Sequence, residues 1–227
     1  MISKPESGNV LFIILIAVAL FGALNFVVGN MLRGGNPQAI SEQKASILSD
    51  EILAQARDIR QTVQNLRISN GCGDDDISFE NPITAGYEHS PVADDECKVF
   101  HPDGGGLNYI APPVEWLETS QSGNTGYAEV RFVGKPAVLD VGTGEKELIM
   151  FVNFVKQPIC LAINDKSGII NTSGAPPVDV GAVDTTTLFQ GSYLSGSGLN
   201  ASEISGKLYG CVSSGTNNFF YQVLIVR

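Results

Sequence analysis

The sequence has few of the residues from which most active sites are built. It contains only two histidines, His89 and His101, and its four cysteines form no CxxC pair of the kind that zinc ribbons and thioredoxin-like sites use. It lacks the GxSxG motif of serine hydrolases, and the glycines at 104–106 match neither the GxGxxG nor the Walker pattern. We therefore expect a protein that is not an enzyme and has no cofactor. The two histidines are expected in loops, and the glycines in a turn.

Positive charge is scarce as well. The chain has 14 Lys+Arg against 24 Asp+Glu, which gives a formal net charge of −10. Binding to nucleic acid depends on clustered basic side chains that displace counterions from phosphates. The composition therefore argues against a nucleic-acid partner, whereas a hydrophobic content of 43% over 227 residues suffices for one sizeable domain with its own core.

A long uncharged run follows the first residues of the chain. Residues 9–32 carry no charge and read NVLFIILIAVALFGALNFVVGNML. At 1.5 Å per residue a helix of about 20 residues crosses a hydrocarbon core about 30 Å thick, so this run predicts a retained transmembrane helix. A cleaved secretory signal is the alternative, although its apolar stretch is typically shorter and ends at a small-residue site. Residues 1–8 are then a leader or a short cytoplasmic tail.

The cysteines indicate on which side of the membrane the rest of the chain lies. All four of them, Cys72, Cys97, Cys160 and Cys211, follow the apolar run. An even number of cysteines in an acidic domain rich in Gly, Ser, Thr and Asn favours disulfides and an oxidising compartment. We therefore expect a single-pass membrane protein whose head lies outside the cytoplasm.

A second helix is predicted after a break in the helical pattern. Residues 33–40 contain Gly34, Gly35 and Pro37, which disfavour helix and predict a hinge. Residues 41–70 then carry one apolar stripe at helical spacing, which predicts an amphipathic helix. This stripe packs on its own domain, or along part of its length on neighbouring subunits. Its members are Ile47, Leu48, Ile52, Ala56, Ile59, Val63 and Leu66.

The remainder, residues 71–227, is predicted to be a β-rich head. A short helix is expected from Pro158, and 171–206 reads as long loops. The predicted fold class is α+β, with a long N-terminal helix made of a membrane or filament-core half and an amphipathic half, followed by an antiparallel β-sheet head. The predicted strands, of which the first three form a meander, are Tyr127–Val133, Ala137–Val141, Glu147–Val155 and Phe219–Val226.

Two acidic runs are the candidate metal ligands. They are Asp74, Asp75 and Asp76, and then Asp94, Asp95 and Glu96. Clustered carboxylates suit Ca²⁺, but the spacing of an EF-hand loop is absent, and acidic runs are usually solvated surface. We expect no bound metal, with Ca²⁺ as the ion that these residues would take.

The layout resembles that of type IV pilins and pseudopilins. In those proteins a leader ending in Gly precedes a very hydrophobic helix, and an amphipathic helical half leads into a disulfide-bonded β-sheet head. The sequence SGNVLFIILIAVALFGAL also looks like the start of a group of alphaproteobacterial envelope proteins, a likeness that DDISFENP, VFHPDGGGLNY, ICLAIND and FFYQVLIVR extend.

The resemblance implies processing between Gly8 and Asn9 and assembly through the apolar helix. Pilins place a large apolar residue after the cleavage site and Glu at the fifth mature position, where this chain has Asn9 and Ile13. Whether the bond is cleaved therefore stays open. Small residues let helices approach closely in such a bundle. They are Ala17, Ala19, Gly22 and Ala23.

We expect from this a structural subunit of a type IV pilus-like extracellular filament or pseudopilus. Its partners would be identical subunits and a pilus or secretion assembly machinery, with the inner membrane as its location before assembly. The alternative is a membrane-anchored periplasmic binding or scaffold protein that does not polymerise. Four cysteines allow three pairings. We favour Cys72–Cys97 with Cys160–Cys211, the second as in the pilin C-terminal loop, over a crossed pair or four free thiols.

Overall fold

The computed structural model describes residues 12–22, 37–215 and 217–227. The chain forms two compact units, Met1–Gln43 and Lys44–Arg227. Residues 12–22 form helix α1 in the first unit, and helix α2 (Pro37–Ser69) begins there and continues into the second. The other elements of the second unit are α3 (Gln157–Ser167), β1 (Val130–Val133), β2 (Leu148–Asn153), β3 (Tyr209–Ser214) and β4 (Asn217–Ile225).

The predicted long N-terminal helix is wrong. The described residues contain the short helix α1, over residues 12–22, and helix α2, which begins at Pro37 rather than at Ser41. Proline lacks an N–H and disfavours helix at the residue before it, so a helix starts at Pro37 more readily than it continues through it. Across 12–22, 37–215 and 217–227, none of the helices has the length and apolar composition needed to cross a membrane. The general α+β class is confirmed.

The four strands form one antiparallel sheet in the order β1-β2-β4-β3. The predicted strand Ala137–Val141 is wrong, since this segment turns and contributes only the isolated bridge between Val138 and Leu199. Strand β3 was not predicted, and it pairs with β4 from Tyr209 opposite Gln222 onward. The predicted helix at Pro158 is confirmed as α3.

Both faces of the sheet are buried, which explains why every residue of β2 is buried. Alternate residues of a strand point to opposite faces, so Met150 joins one core and Phe151 the other. The first core lies between the sheet, α2 and α3. The second core is closed by loop residues, namely Val138, Val141, Ile169, Leu199, Ala201 and Ile204.

The predicted apolar stripe of α2 packs mainly on its own domain, as expected. Ile52, Ala56 and Val63 are fully buried in the first core. Ile47, at the start of the stripe, is instead 61% exposed. The core side of the helix nevertheless begins at Ala45, which is buried in the first core.

Candidate functional site

Helix α1 presents an exposed surface of apolar side chains. Its predicted assembly residues Ala17, Ala19 and Gly22 are exposed with the rest. The predicted Ala23, the processing residues Gly8 and Asn9, and the hinge residues Gly34 and Gly35 lie outside the described residues. Burial of apolar surface contributes roughly 25 cal/mol per Å², so covering the apolar side chains of α1 would be favourable. Its large apolar side chains, 43% to 68% exposed, are Phe12, Ile13, Ile14, Leu15, Ile16, Val18, Leu20 and Phe21.

The first disulfide anchors the acidic runs to the end of α2. Cys72 is joined to Cys97, as predicted, and the amide of Asn70 donates to the Glu96 carbonyl oxygen at 2.8 Å. The backbone N–H of Ser78 donates to the Cys97 carbonyl oxygen at 3.0 Å. These bonds hold the segment 70–78 against 94–98, so each acidic run has a defined position on the surface.

Three of the six carboxylates of the two runs, those of Asp74, Asp76 and Asp95, are matched by basic groups or a backbone N–H group. Asp74 forms an ion pair with Arg67 at 2.7 Å, and Asp76 accepts a hydrogen bond from the N–H of Gly73 at 2.9 Å. Lys98 bonds both Asp95 at 2.8 Å and Glu80 at 2.9 Å. The hydrogen bond from Lys98 lowers the pKa of the Asp95 carboxyl.

One histidine joins Asp95 in a group of possible metal ligands. Ligand atoms of Asp95, His101 and Asp103 lie within 4.8 Å of one another. However, Nδ1 of His101 accepts a hydrogen bond from the N–H of Asp103 at 3.2 Å, and Asp95 is already paired with Lys98. A metal needs a free lone pair on the imidazole, and the one on Nδ1 is occupied. The arrangement suits a hydrogen-bonded turn better than a metal centre.

The glycines that follow His101 form the predicted turn. Gly104 and Gly105 leave no space for a Cβ, which would collide with the backbone of Lys98 and Val99 and with the side chain of Thr62 on α2. Glycine is therefore required here for close packing.

An open cleft of about 620 Å³ lies beside the first acidic run. The Arg227 guanidinium stacks 4.0 Å from the centre of the Tyr193 ring, and the hydroxyl of Tyr193 donates to the Asp74 carbonyl oxygen at 3.3 Å. Burial raises the pKa of Tyr193. Asp75, Glu145 and Lys146 also line the cleft. Because charges of both signs alternate around it, the cleft selects neither a cation nor an anion.

The second disulfide joins α3 to β3, again as predicted. Cys160 and Cys211 are fully buried and bonded to each other. Beside them the buried side chain of Asn164 accepts from the N–H of Cys211 at 2.8 Å and donates to its carbonyl oxygen at 2.9 Å. Asn164 thus supplies the hydrogen bonds that a neighbouring strand would make along this edge of the sheet.

Among the buried titratable groups that the sequence analysis missed are Glu147 and His89. Glu147 is completely buried, with Oε2 accepting from the N–H of Val138 at 2.9 Å. His89, predicted in a surface loop, is only 8% exposed, and its ring edge meets Phe189. Burial lowers the pKa of His89, against the opposing charge of Glu80. The only feature of the sequence that could have indicated burial of Glu147 is its position directly before the apolar strand β2.

Comparison of the chain with models of protein families finds no match, and neither do comparisons with curated proteins and with solved structures. Its function is therefore inferred from α1, from the two disulfides and from the surface of the second unit.

Proposed function

We propose that this protein is a structural subunit of an extracellular filament of the type IV pilus or pseudopilus kind. The observation that carries the proposal is α1, on which large apolar side chains are exposed on all sides, from Phe12 to Phe21. Copies of α1 packed against one another would remove these side chains from water. Ala17, Ala19 and Gly22 would allow the helix axes to approach closely.

The second unit supports the same function. Two disulfides link its elements, and disulfides persist in oxidising compartments such as the periplasm and the cell exterior. A head that remains folded outside the cell suits a filament surface. We place the subunit in the inner membrane before assembly, with pilus or secretion machinery and identical copies as its partners.

The proposal predicts that a charge on α1 prevents assembly. Leu20 is 66% exposed, and Leu20→Asp would bury an unpaired carboxylate between packed helices. The matched control is Val92→Asp, which places the same charge at a side chain 74% exposed on the second unit. Surface material sheared from cells that produce each variant is examined by electron microscopy and by immunoblotting for this chain.

We expect fibres that contain the chain from the unmodified protein and from Val92→Asp, and none from Leu20→Asp. Fibres formed by Leu20→Asp at the normal yield would contradict the proposal. Recovery of the unmodified protein only in the inner membrane, without any higher assembly, would also contradict it and favour the anchored periplasmic protein.

A further inference from the structure

A small cleft lies at one end of the sheet, where β2 ends and the β3–β4 hairpin turns. Its volume is about 170 Å³, below the roughly 300–1,000 Å³ of clefts that hold drug-sized molecules. It therefore has room for one small ring. The walls carry Asn153, Phe154, Thr185, Thr186, Ser214 and Asn217.

Asn153 gives this cleft an unused hydrogen-bonding group. The residue is only 5% exposed and lines the cleft, yet its side-chain amide has no hydrogen bond among residues 37–215 and 217–227. Its amide atoms are not sealed from the cleft, so a ligand there can reach them and bond to them.

A second unused donor lies next to Asn153. Arg131 is 7% exposed, and its Nε has no partner in the described part of the chain. Gly126 separates the two groups, and a Cβ built on it would lie 2.8 Å from Nδ2 of Asn153 and 3.0 Å from Nε of Arg131. The missing side chain at Gly126 thus lets the two side chains pack beside the backbone. Arg131 does not line the cleft, so Asn153 is the one of the two that a ligand in the cleft can reach.

The charge at the cleft is balanced. Arg131 forms an ion pair with Glu129 at 2.6 Å and donates from Nη1 to the Thr186 carbonyl oxygen at 2.7 Å. None of the described residues that line the cleft is charged. The site therefore favours a neutral ligand rather than an anion.

We propose that this cleft binds one unit of a saccharide. A pyranose ring carries hydroxyls that donate and accept, which matches the amides and hydroxyls of Asn153, Asn217, Ser214 and Thr185. Its C–H groups form an apolar surface that packs against an aromatic ring, and Phe154 supplies that ring at the wall. This binding does not depend on filament assembly, so it stands or falls independently of the proposed function.

The test is a titration of the full ¹⁵N-labelled chain, kept in a non-ionic detergent without a sugar head group. Methyl glycosides of glucose, galactose, mannose and N-acetylglucosamine are added one at a time. At least one of them is expected to shift the side-chain resonances of Asn153 and Asn217 saturably. Ligands of this size bind with dissociation constants on the order of 1 mM.

Variants distinguish the cleft from other surfaces. Asn217→Ala and Thr185→Ala each remove one polar group and are expected to weaken binding about tenfold, the value of one hydrogen bond. The control Ser195→Ala, in the cleft beside Tyr193, should leave the affinity unchanged. The proposal is overturned if no glycoside shifts these resonances, if the shifts lie elsewhere, or if inorganic phosphate produces them instead.

Discussion

Burial raises the pKa of the Glu147 carboxyl group. The side chain is completely buried, and its Oε1 has no hydrogen-bond partner among the described residues. Burial raises its pKa from 4.5 to about 7, although the N–H of Val138 opposes this change. Glu147 therefore takes up a proton near neutral pH, unlike a carboxyl group in water.

Glu147 should make the stability of the folded chain depend on pH. Because the folded chain holds the proton more tightly than the unfolded chain, the contribution is complete below pH 4.5 and is lost as the pH rises through 7. We expect this group to lower the free energy of unfolding by about 3 kcal/mol over that window. In Glu147→Gln this loss should be absent, as measured by urea unfolding at a series of pH values.

The exposed neighbour Glu145 provides the matched control. Glu145→Gln removes the same charge without removing a buried carboxyl, so the decrease in stability across the window should persist. An unfolding free energy of the unmodified chain with the same pH profile as that of Glu147→Gln would show that the Glu147 carboxyl is not perturbed.

The helices and strands of the second unit show which elements can be predicted from local sequence patterns. The sequence analysis predicted α3, the central parts of β2 and β4, and most of the apolar stripe of α2. Each of these segments has a strong helical periodicity or a run of β-branched and aromatic residues. Strand β3 was missed because Gly210 and two serines give YGCVSS a weak strand signal. It forms because β4 offers it a partner.

The segment 137–141 shows the opposite error. AVLDV has a strand-like composition, but the N–H of Val138 bonds Glu147 Oε2 and the N–H of Leu139 bonds the Leu199 carbonyl oxygen. These contacts, one with a buried side chain nine residues away and one with a distant loop, hold the segment against the second core. Local propensity carries no information about such contacts.

The two disulfides should differ in their contribution to stability. They close segments of 25 and 51 residues, for which chain entropy predicts about 3.5 and about 4 kcal/mol. Cys160 and Cys211 are also fully buried, whereas Cys97 is 9% exposed. Replacing Cys160 and Cys211 by alanine should therefore lower the urea midpoint more than replacing Cys72 and Cys97, with each pair serving as the control for the other. A larger decrease in the urea midpoint after replacement of Cys72 and Cys97 would contradict this prediction.

At the scale of the whole molecule, the two compact units predict that assembly and folding can be separated. The cores and both disulfides lie within Lys44–Arg227. A chain that begins at Pro37 keeps all of α2 and lacks α1, so it should fold, remain monomeric and form no fibres. Its mass in solution is measured by light scattering beside the full chain, and its fold by urea unfolding.

The result shows whether assembly is driven by α1 or by the head. Fibres or oligomers formed by the shortened chain would show that the head, rather than α1, drives association. A shortened chain that is monomeric but as stable as the full chain would support the role of α1, because the helix would then contribute to assembly and not to the fold of the head.

The sequence by itself determined the apolar segment that contains α1, the amphipathic character of α2, the α+β class and the glycine turn at 104–106, because these depend on composition and on spacing within one segment. It also led to the disulfide pairing found in the structure. Only the tertiary structure decided that residues 137–141 turn instead of forming a strand, that Glu147 and His89 are buried, and that Asn153 and Arg131 lie beside each other at Gly126. Burial and the meeting of distant side chains depend on which segments pack together, and a local pattern does not carry that information.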